Sequence, residues 1–490
     1  MKKPIALFLL GVAALTACGT PAPADKSTTN PGTGTGTVAW SACTDLIGPD
    51  GKPLTPGPGI ECGKLPVPLD HAAPGGEQID LALIRIKATG DRLGSLVFNF
   101  GGPGGSGVDT LAAAAAAFTN LGTRYDLVSF DPRGVERSSG VRCGDGLDAL
   151  FAPGQDADLD TLAKDFAAAC RQHSAKVLPH VGTVSAAKDL DLLRAAFGDE
   201  QLNYFGFSYG THLGAVYATH YPKNVGRFVL DGAYDPQVTF EEQAVTQSTG
   251  FARAFDAFAE DCVAQSCELG ADPATVRRTV EDFVEGLKTE PIKVGDRELT
   301  YELGQLAVIT PLYAKQSWPV LEQATAAALK GNATILLALA DSYTGRRPDG
   351  TYSTMMTSHT AIMCADTSER PTAAQLEQVN ERIKKIFPIL SYDDAATGTC
   401  MHWPVPGDDA AKRIDATGSA PIVVVGGKGD PATPYQWSTT LTKQLRTGVL
   451  VTYEGEGHGA YLTGNGCLTR TVDAYLIDGK VPGAGSTCAA

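Results

Sequence analysis

The pentapeptide Gly206-Phe207-Ser208-Tyr209-Gly210 constrains this chain more than any other stretch. The run Leu202-Asn203-Tyr204-Phe205 before it has the apolar character of a short buried strand, and Thr211 to Tyr221 after it reads as a helix. A serine set between glycines where a strand turns into a helix is a nucleophile elbow. The turn is so tight that side chains two positions before and after the serine would clash, which accounts for Gly206 and Gly210. It also lifts the serine Oγ clear of the sheet, where a base can reach it. In a chain with 55 glycines the string alone says little. The strand–turn–helix setting is what makes Ser208 the candidate nucleophile.

A serine hydroxyl is inert at neutral pH without a base, and the base needs an acid to orient it. After an elbow of this kind the acid and the histidine follow in that order along the chain. Beyond the elbow's own helix, which carries His212 and His220, the histidines are His359, His402 and His458. His458 stands in Gly455-Glu456-Gly457-His458-Gly459, directly after the strand-like Gly448 to Tyr453. A glycine-flanked histidine on such a loop can swing its ring over the end of a sheet. His359 lies in a Thr/Ser-rich stretch with no strand before it, and His402 is followed by Trp403-Pro404. The acid should end the preceding strand, and Asp430 does so after Pro421-Ile422-Val423-Val424-Val425. Pro431-Ala432-Thr433-Pro434 then suits a fixed loop leading into a helix. The candidate triad is Ser208, Asp430 and His458.

Acyl transfer also needs backbone N–H groups aimed at the developing oxyanion. One is expected from Tyr209, the residue after the nucleophile, and the other from a glycine-rich loop after an earlier strand. Leu96 to Phe100 followed by Gly101-Gly102-Pro103-Gly104-Gly105-Ser106-Gly107 fits that place, and Gly102 is the expected donor because Pro103 has no N–H. A nucleotide phosphate loop would need Gly-Lys-Ser/Thr at its end, which is missing here.

Further strand-like runs at Ile79–Ile86, Tyr125–Phe130 and Gly226–Leu230 alternate with helical stretches, and the pattern resumes at Ile422–Val425 and Val449–Tyr453. That alternation predicts an α/β fold built on a mostly parallel sheet. Ile79–Ile86 alternates apolar and polar residues as a half-buried strand should. The clearest helix runs from Val184 to Phe197, with Leu190, Leu193 and Phe197 on one face and Gly198 ending it. Between about 236 and 415 the pattern is helical, with Phe251, Phe255 and Phe258 at i, i+4 and i+7 and an Ala/Leu-rich run from Leu321 to Leu339. An insertion of that size after the strand ending near Leu230 is expected to be a lid over the nucleophile. The predicted organisation is a core at 39–235, a helical lid at 236–415 and the rest of the core at 416–490.

The N-terminus differs from the rest. Lys2 and Lys3 precede an apolar stretch from Ile5 to Leu15, too short for a comfortable membrane span, as in a secretory signal over residues 1–17. It closes with Leu15-Thr16-Ala17-Cys18, which looks like a bacterial lipobox with cleavage before a lipidated Cys18; the alternative is an ordinary signal peptide cleaved near Ala17. Residues 18–38 are then a Gly/Pro/Thr/Ala-rich tether, reaching roughly 25 Å as a flexible coil. The other ten cysteines suit an oxidising compartment. They fall as near neighbours, and the simplest pairing joins Cys43 to Cys62, Cys143 to Cys170, Cys262 to Cys267, Cys364 to Cys400 and Cys467 to Cys488. Neither Cys-x-x-Cys pairs nor a Cys/His cluster invites a metal, and no cofactor is expected. A net charge of −15 without a strongly basic stretch argues against nucleic acid and favours cationic substrates on encounter.

The strings Val67-Pro68-Leu69-Asp70, Asn99 to Gly107, Asp131-Pro132-Arg133-Gly134 and Gly206 to Thr211 resemble secreted tripeptidyl aminopeptidases of actinobacterial type. These belong with the proline iminopeptidases among the α/β-hydrolases. Asp430 to Pro434, Gly457-His458-Gly459 and the pair Cys467 and Cys488 match that family's C-terminal region, so the resemblance runs from about Trp40 to the end. It implies an α/β-hydrolase fold and a serine exopeptidase releasing short peptides from free N-termini. Phe100 departs from the His of proline iminopeptidases, which favours the tripeptidyl branch, and a lipid anchor is not general in the family. An aminopeptidase must recognise an α-ammonium group, whose pKa of about 8 leaves it largely charged at neutral pH. Glu241, Glu242 and Asp366 are candidate carboxylates for this, each with capping or solvation as its ordinary alternative. Two other readings remain: an esterase or other small-molecule hydrolase with the same triad, and a non-catalytic surface binding protein on a hydrolase fold.

Overall fold

The apolar runs of the sequence form the middle of a ten-stranded sheet. In the computed structural model, residues 38–144, 146–151, 158–390 and 400–490 are described. The signal segment 1–17, Cys18 and nearly all of the 18–38 tether therefore lie outside the described residues. The strands are β1 (Ala39–Ala42), β2 (Ile60–Pro68), β3 (Gln78–Ile86), β4 (Gly94–Asn99), β5 (Tyr125–Phe130), β6 (Leu202–Phe207), β7 (Val225–Asp231), a separate hairpin β8 (Ile292–Val294) and β9 (Arg297–Leu299), then β10 (Ile422–Gly429), β11 (Gly448–Glu456) and β12 (Ser486–Cys488). Their order in the large sheet is β1-β2-β3-β5-β4-β6-β7-β10-β11-β12. From β5 across to β12 neighbours run parallel, and the three pairings at the β1 edge are antiparallel.

The helices are α1 (Gly107–Ala114), α2 (Gly146–Phe151), α3 (Leu159–Ser174), α4 (Thr183–Ala196), α5 (Tyr209–His220), α6 (Phe240–Ala264), α7 (Pro273–Gly286), α8 (Tyr301–Leu312), α9 (Trp318–Ala328), α10 (Thr334–Thr344), α11 (Met355–Ala365), α12 (Ala373–Ile386), α13 (Tyr435–Gln444) and α14 (Gly466–Asp478). One sheet face buries Val97, Val128, Tyr204, Leu230 and Val424 against Leu190 and Leu193 of α4, Leu213 and Val216 of α5 and Leu441 of α13. The other buries Phe98, Leu127, Phe205, Val229 and Val425 against Val108 and Leu111 of α1 and Leu468, Val472 and Leu476 of α14. Every residue of β4 and β5 is buried, as expected of strands covered on both faces. β3 departs from its expected half-buried alternation. Leu81 to Ile84 are all buried, because β3 sits inside the sheet between β2 and β5.

Helices α6 to α9, with the segment that follows α12, build a further apolar cluster from Phe251, Phe255, Phe258, Val280, Trp318 and Phe387. Buried Ala432, on the loop after β10, belongs to this same cluster, so the helical region and the acid loop share a core. The Leu321–Leu339 run is two helices rather than one, broken where Gly331 takes φ 89°. The β8–β9 hairpin was not foreseen, since three-residue strands leave too little periodicity to read. Five disulfides join neighbouring cysteines, Cys43–Cys62, Cys143–Cys170, Cys262–Cys267, Cys364–Cys400 and Cys467–Cys488. Among the described residues no helix is long and apolar enough to cross a membrane.

Candidate active site

The sharp turn from β6 into α5 holds Ser208 at φ 54° and ψ −125°. A non-glycine residue in such backbone costs about 1–3 kcal/mol and persists only where its surroundings enforce it. Here the Ser208 N–H donates to the Asp231 carbonyl at 3.0 Å, and the Thr211 N–H donates to the Ser208 carbonyl at 2.8 Å. The two glycines are sterically required. A Cβ on Gly206 would lie 2.4 Å from the Gly210 oxygen, and one on Gly210 would lie 2.4 Å from the Asn99 oxygen.

His458 follows β11, and its Nδ1 lies 2.9 Å from each carboxylate oxygen of Asp430. The Asp430 side chain is 1% exposed, and its Oδ1 accepts N–H groups from Ala432 at 3.0 Å and Thr433 at 2.8 Å. The Thr433 hydroxyl donates to Asp430 Oδ2 at 3.0 Å and stands 3.2 Å from His458 Nδ1. The backbone N–H of His458 donates to the Tyr313 carbonyl at 2.7 Å, and the two rings meet edge to face. Burial alone would push the imidazole pKa down. The Asp430 charge and hydrogen bond, with a smaller pull from Asp231, outweigh it, and the net shift is upward from 6.5.

Asp231, at the end of β7, ties the two catalytic loops together. Its carbonyl takes the Ser208 N–H, while its carboxylate accepts the N–H groups of Ala460 at 3.0 Å and Tyr461 at 2.7 Å. Burial raises its pKa to about 7 against the lowering effect of those two bonds. The glycine loop after β4 lies against the elbow. A Cβ on Gly101 would stand 2.8 Å from Ser208 Cβ and 3.2 Å from the Tyr209 nitrogen. Gly101 thus lies against Ser208 and the Tyr209 N–H, with Gly102 the next residue of the loop, and Tyr209 opens α5, where N–H groups have no intrahelical partner.

The three carboxylates considered for amine recognition are not brought together. Glu242 closes a capping box with Thr239 at the start of α6, and exposed Glu241 pairs with Arg382 of α12. Their side chains serve the helical region's own architecture. Asp366, at the end of α11, accepts the Thr183 N–H at 2.7 Å and the Thr183 hydroxyl, and that hydroxyl lies 2.6 Å from the Tyr209 hydroxyl. Burial drives the Asp366 pKa up to about 7 against the Thr183 bonds. Tyr313, Thr433 and Asp231 were missed at the sequence level. The turn that carries Thr433 was in reach, since an Asp opening a loop accepts the N–H two residues on in an Asx-turn, as Asp430 does from Ala432. Tyr313 acts through its carbonyl, which leaves no mark in side-chain chemistry.

The largely parallel sheet, the strained serine turn and the acid–histidine pair after β10 and β11 define an α/β-hydrolase with serine-hydrolase machinery. A family model described as TAP-like protein matches residues 388–488. The chain is 38% identical over 479 residues to serine protease Hip1 of Mycobacterium tuberculosis, covering 92% of this chain and 91% of that protein. It is 35% identical over 471 residues to carboxylesterase B of the same organism, with 92% and 90% covered. It is 31% identical over 452 residues to tripeptidyl aminopeptidase of Streptomyces lividans, with 88% and 84% covered. The chain belongs to this tripeptidyl aminopeptidase-like family of serine peptidases.

The upward shift at His458 has a measurable consequence. A general base must be unprotonated, so activity falls as pH drops through its pKa. With the carboxylate of Asp430 holding the proton on, the acid limb of kcat/KM is expected above pH 6.5, the ordinary imidazole value. A limb well below that value would mean another group limits the rate.

Proposed function

We propose that the protein is an envelope-held serine aminopeptidase that releases short peptides, with tripeptides as the expected product, from free N-termini. The single observation that carries the mechanism is the buried Asp430 carboxylate on His458 Nδ1, which leaves Nε2 to serve the strained Ser208. Ser208 Oγ attacks the scissile carbonyl and His458 takes its proton. Asp430 orients the ring and stabilises the imidazolium. The N–H groups of Gly102 and Tyr209 receive the negative charge on the carbonyl oxygen. His458 returns its proton to the leaving amine, and a water then hydrolyses the acyl-enzyme by the same steps in reverse. The 236–415 region acts as the lid that limits which peptides enter. Cys18 is the proposed anchor, with residues 18–38 as tether, outside the cytoplasm; the disulfides support that side of the membrane.

Of the three acidic candidates Asp366 is the one beside the elbow, which makes it the proposed partner of the substrate ammonium. Asp366→Asn is then expected to raise KM for free-amine peptides several-fold more than for N-acetylated ones, and an equal rise in both sinks that assignment. The wider test uses matched chromogenic substrates: a free-amine tripeptide, a dipeptide, a proline amide, an N-acetylated tripeptide and a butyrate ester. Cleavage of the free tripeptide, lost on acetylation, supports the aminopeptidase. Ester turnover without peptide cleavage favours an esterase, the reading that the carboxylesterase B relative keeps in view.

A further inference from the structure

The histidine set aside at the sequence level, His359, sits against the oxyanion loop. It lies on the second turn of α11, and its ring faces the backbone at Pro103 and Gly102. Both contacts favour the protonated ring, as donation to carbonyl oxygens does, but burial outweighs them and holds its pKa below 6.5. At neutral pH it is a neutral imidazole with one N–H to give.

The loop it meets has no side chain at several of its positions. Gly101, Gly102 and Gly104 take φ of 92°, 110° and 101°, a region that glycine enters freely and that side chains do not hold in place. Helix α11 supplies a wall for it. A Cβ on Gly104 would fall 2.3 Å from the Met355 carbonyl oxygen and 2.9 Å from the His359 backbone nitrogen, so the loop backbone rests directly on the helix. The wall is itself anchored in the hydrolase core. Ser358 Oγ donates to the Gly134 carbonyl and Thr357 Oγ1 to the Val141 carbonyl, both at 2.6 Å. At the other end of the helix, Asp366 holds Thr183, which reaches the Tyr209 hydroxyl. One short helix therefore abuts the glycine loop at one end and is linked through Thr183 to Tyr209 at the other.

We infer that His359 is a positioning residue for acyl transfer: its ring N–H, presented by α11, fixes the backbone at Gly102 so that the Gly102 N–H points at the oxyanion. The inference rests on the roles assigned above to Ser208, Gly102 and Tyr209. It also gives the helical region a second task. Besides covering the nucleophile, it completes the geometry of the site.

A fluorophosphonate probe tests this without needing to know the natural substrate. Ser208 Oγ attacks phosphorus, fluoride leaves, His458 takes the serine proton, and the phosphoryl oxygen occupies the oxyanion position. The full-length protein is compared with His359→Gln, which keeps an N–H donor, and His359→Leu, which keeps bulk without one. The expected result is a phosphonylation rate about 10- to 100-fold lower for Leu, part of the loss seen when an oxyanion donor is removed, and within about threefold of wild type for Gln. KM for a small neutral ester should stay unchanged while kcat follows the phosphonylation rate. If the Leu variant does not fold, His359→Ala decides instead, with added imidazole expected to restore its rate. Equal losses for Gln and Leu, a wild-type rate for Leu, or no imidazole rescue of a slowed Ala variant overturns the inference. Failure of the wild-type protein to label at Ser208 overturns the underlying serine mechanism as well.

Discussion

Ser208→Ala is expected to lower kcat by about 10⁶-fold, the loss seen when the nucleophile of a serine–histidine–acid unit is deleted. The fall should appear in kcat with KM changed only a few-fold, because the hydroxyl acts in the bond-making step and contributes little to ground-state binding. Stability should hardly move. Alanine keeps a Cβ, so it inherits the φ of 54° together with whatever strain that backbone carries. The backbone contacts from Ser208 to Asp231 and Thr211 do not involve the lost oxygen. A small set of assays separates these statements: steady-state kinetics, thermal unfolding, and binding of an uncleaved product peptide. Residual activity within about a hundredfold of wild type would mean that the hydroxyl is not the nucleophile.

Asp430→Asn is expected to cost about 10⁴-fold in kcat, the scale associated with a wrong histidine tautomer. The local hydrogen bonds explain why the substitution should be so severe. The N–H groups of Ala432 and Thr433 both donate to Oδ1. An asparagine there must keep its carbonyl oxygen toward those donors, which turns its NH₂ toward His458 Nδ1. The ring then presents Nδ1 as an acceptor, and its own proton sits on Nε2, the nitrogen that should receive the serine proton. Loss of the negative charge also removes the main upward pull on His458, so the acid limb of the pH profile should move to lower pH. Asp430→Glu would keep the charge but lengthen the side chain in a site with 1% exposure, and is a poorer probe.

The parts of this site legible in the sequence are those where chemistry and backbone geometry demand particular residue types. Gly206 and Gly210 could be read as necessary before any coordinates, and the 2.4 Å clashes give the reason. Asp430 and His458 follow from strand ends and chain order, and the structure joins them through Nδ1. Near-neighbour cysteines gave the disulfide pairs because short separations leave few sensible partners. What escaped was set by tertiary contact. His359 had no strand before it, so a rule about strand ends passed over it, and only the packing of α11 on the loop shows what it touches. Glu241 and Glu242 were candidate amine-binding carboxylates with capping or solvation as the alternative, and the alternative holds: a capping box engages Glu242 and an ion pair to a helix more than a hundred residues away engages Glu241. The Leu321–Leu339 run had helical composition throughout, and a single glycine at positive φ divided it. Composition sets the type of an element, and one backbone position sets where it ends.

The most direct test of the central claim is to trap the acyl-enzyme. The protein is mixed with an activated ester of a free-amine tripeptide at a pH low enough to keep His458 largely protonated and slow deacylation, then quenched in acid and mapped by mass spectrometry. The account predicts a peptide carrying Ser208 heavier by one tripeptidyl group, absent from Ser208→Ala and absent when the substrate is N-acetylated. Turnover with no adduct, or an adduct on another residue, would contradict the assignment of Ser208. An adduct formed equally from the acetylated substrate would leave the serine in place and remove the aminopeptidase.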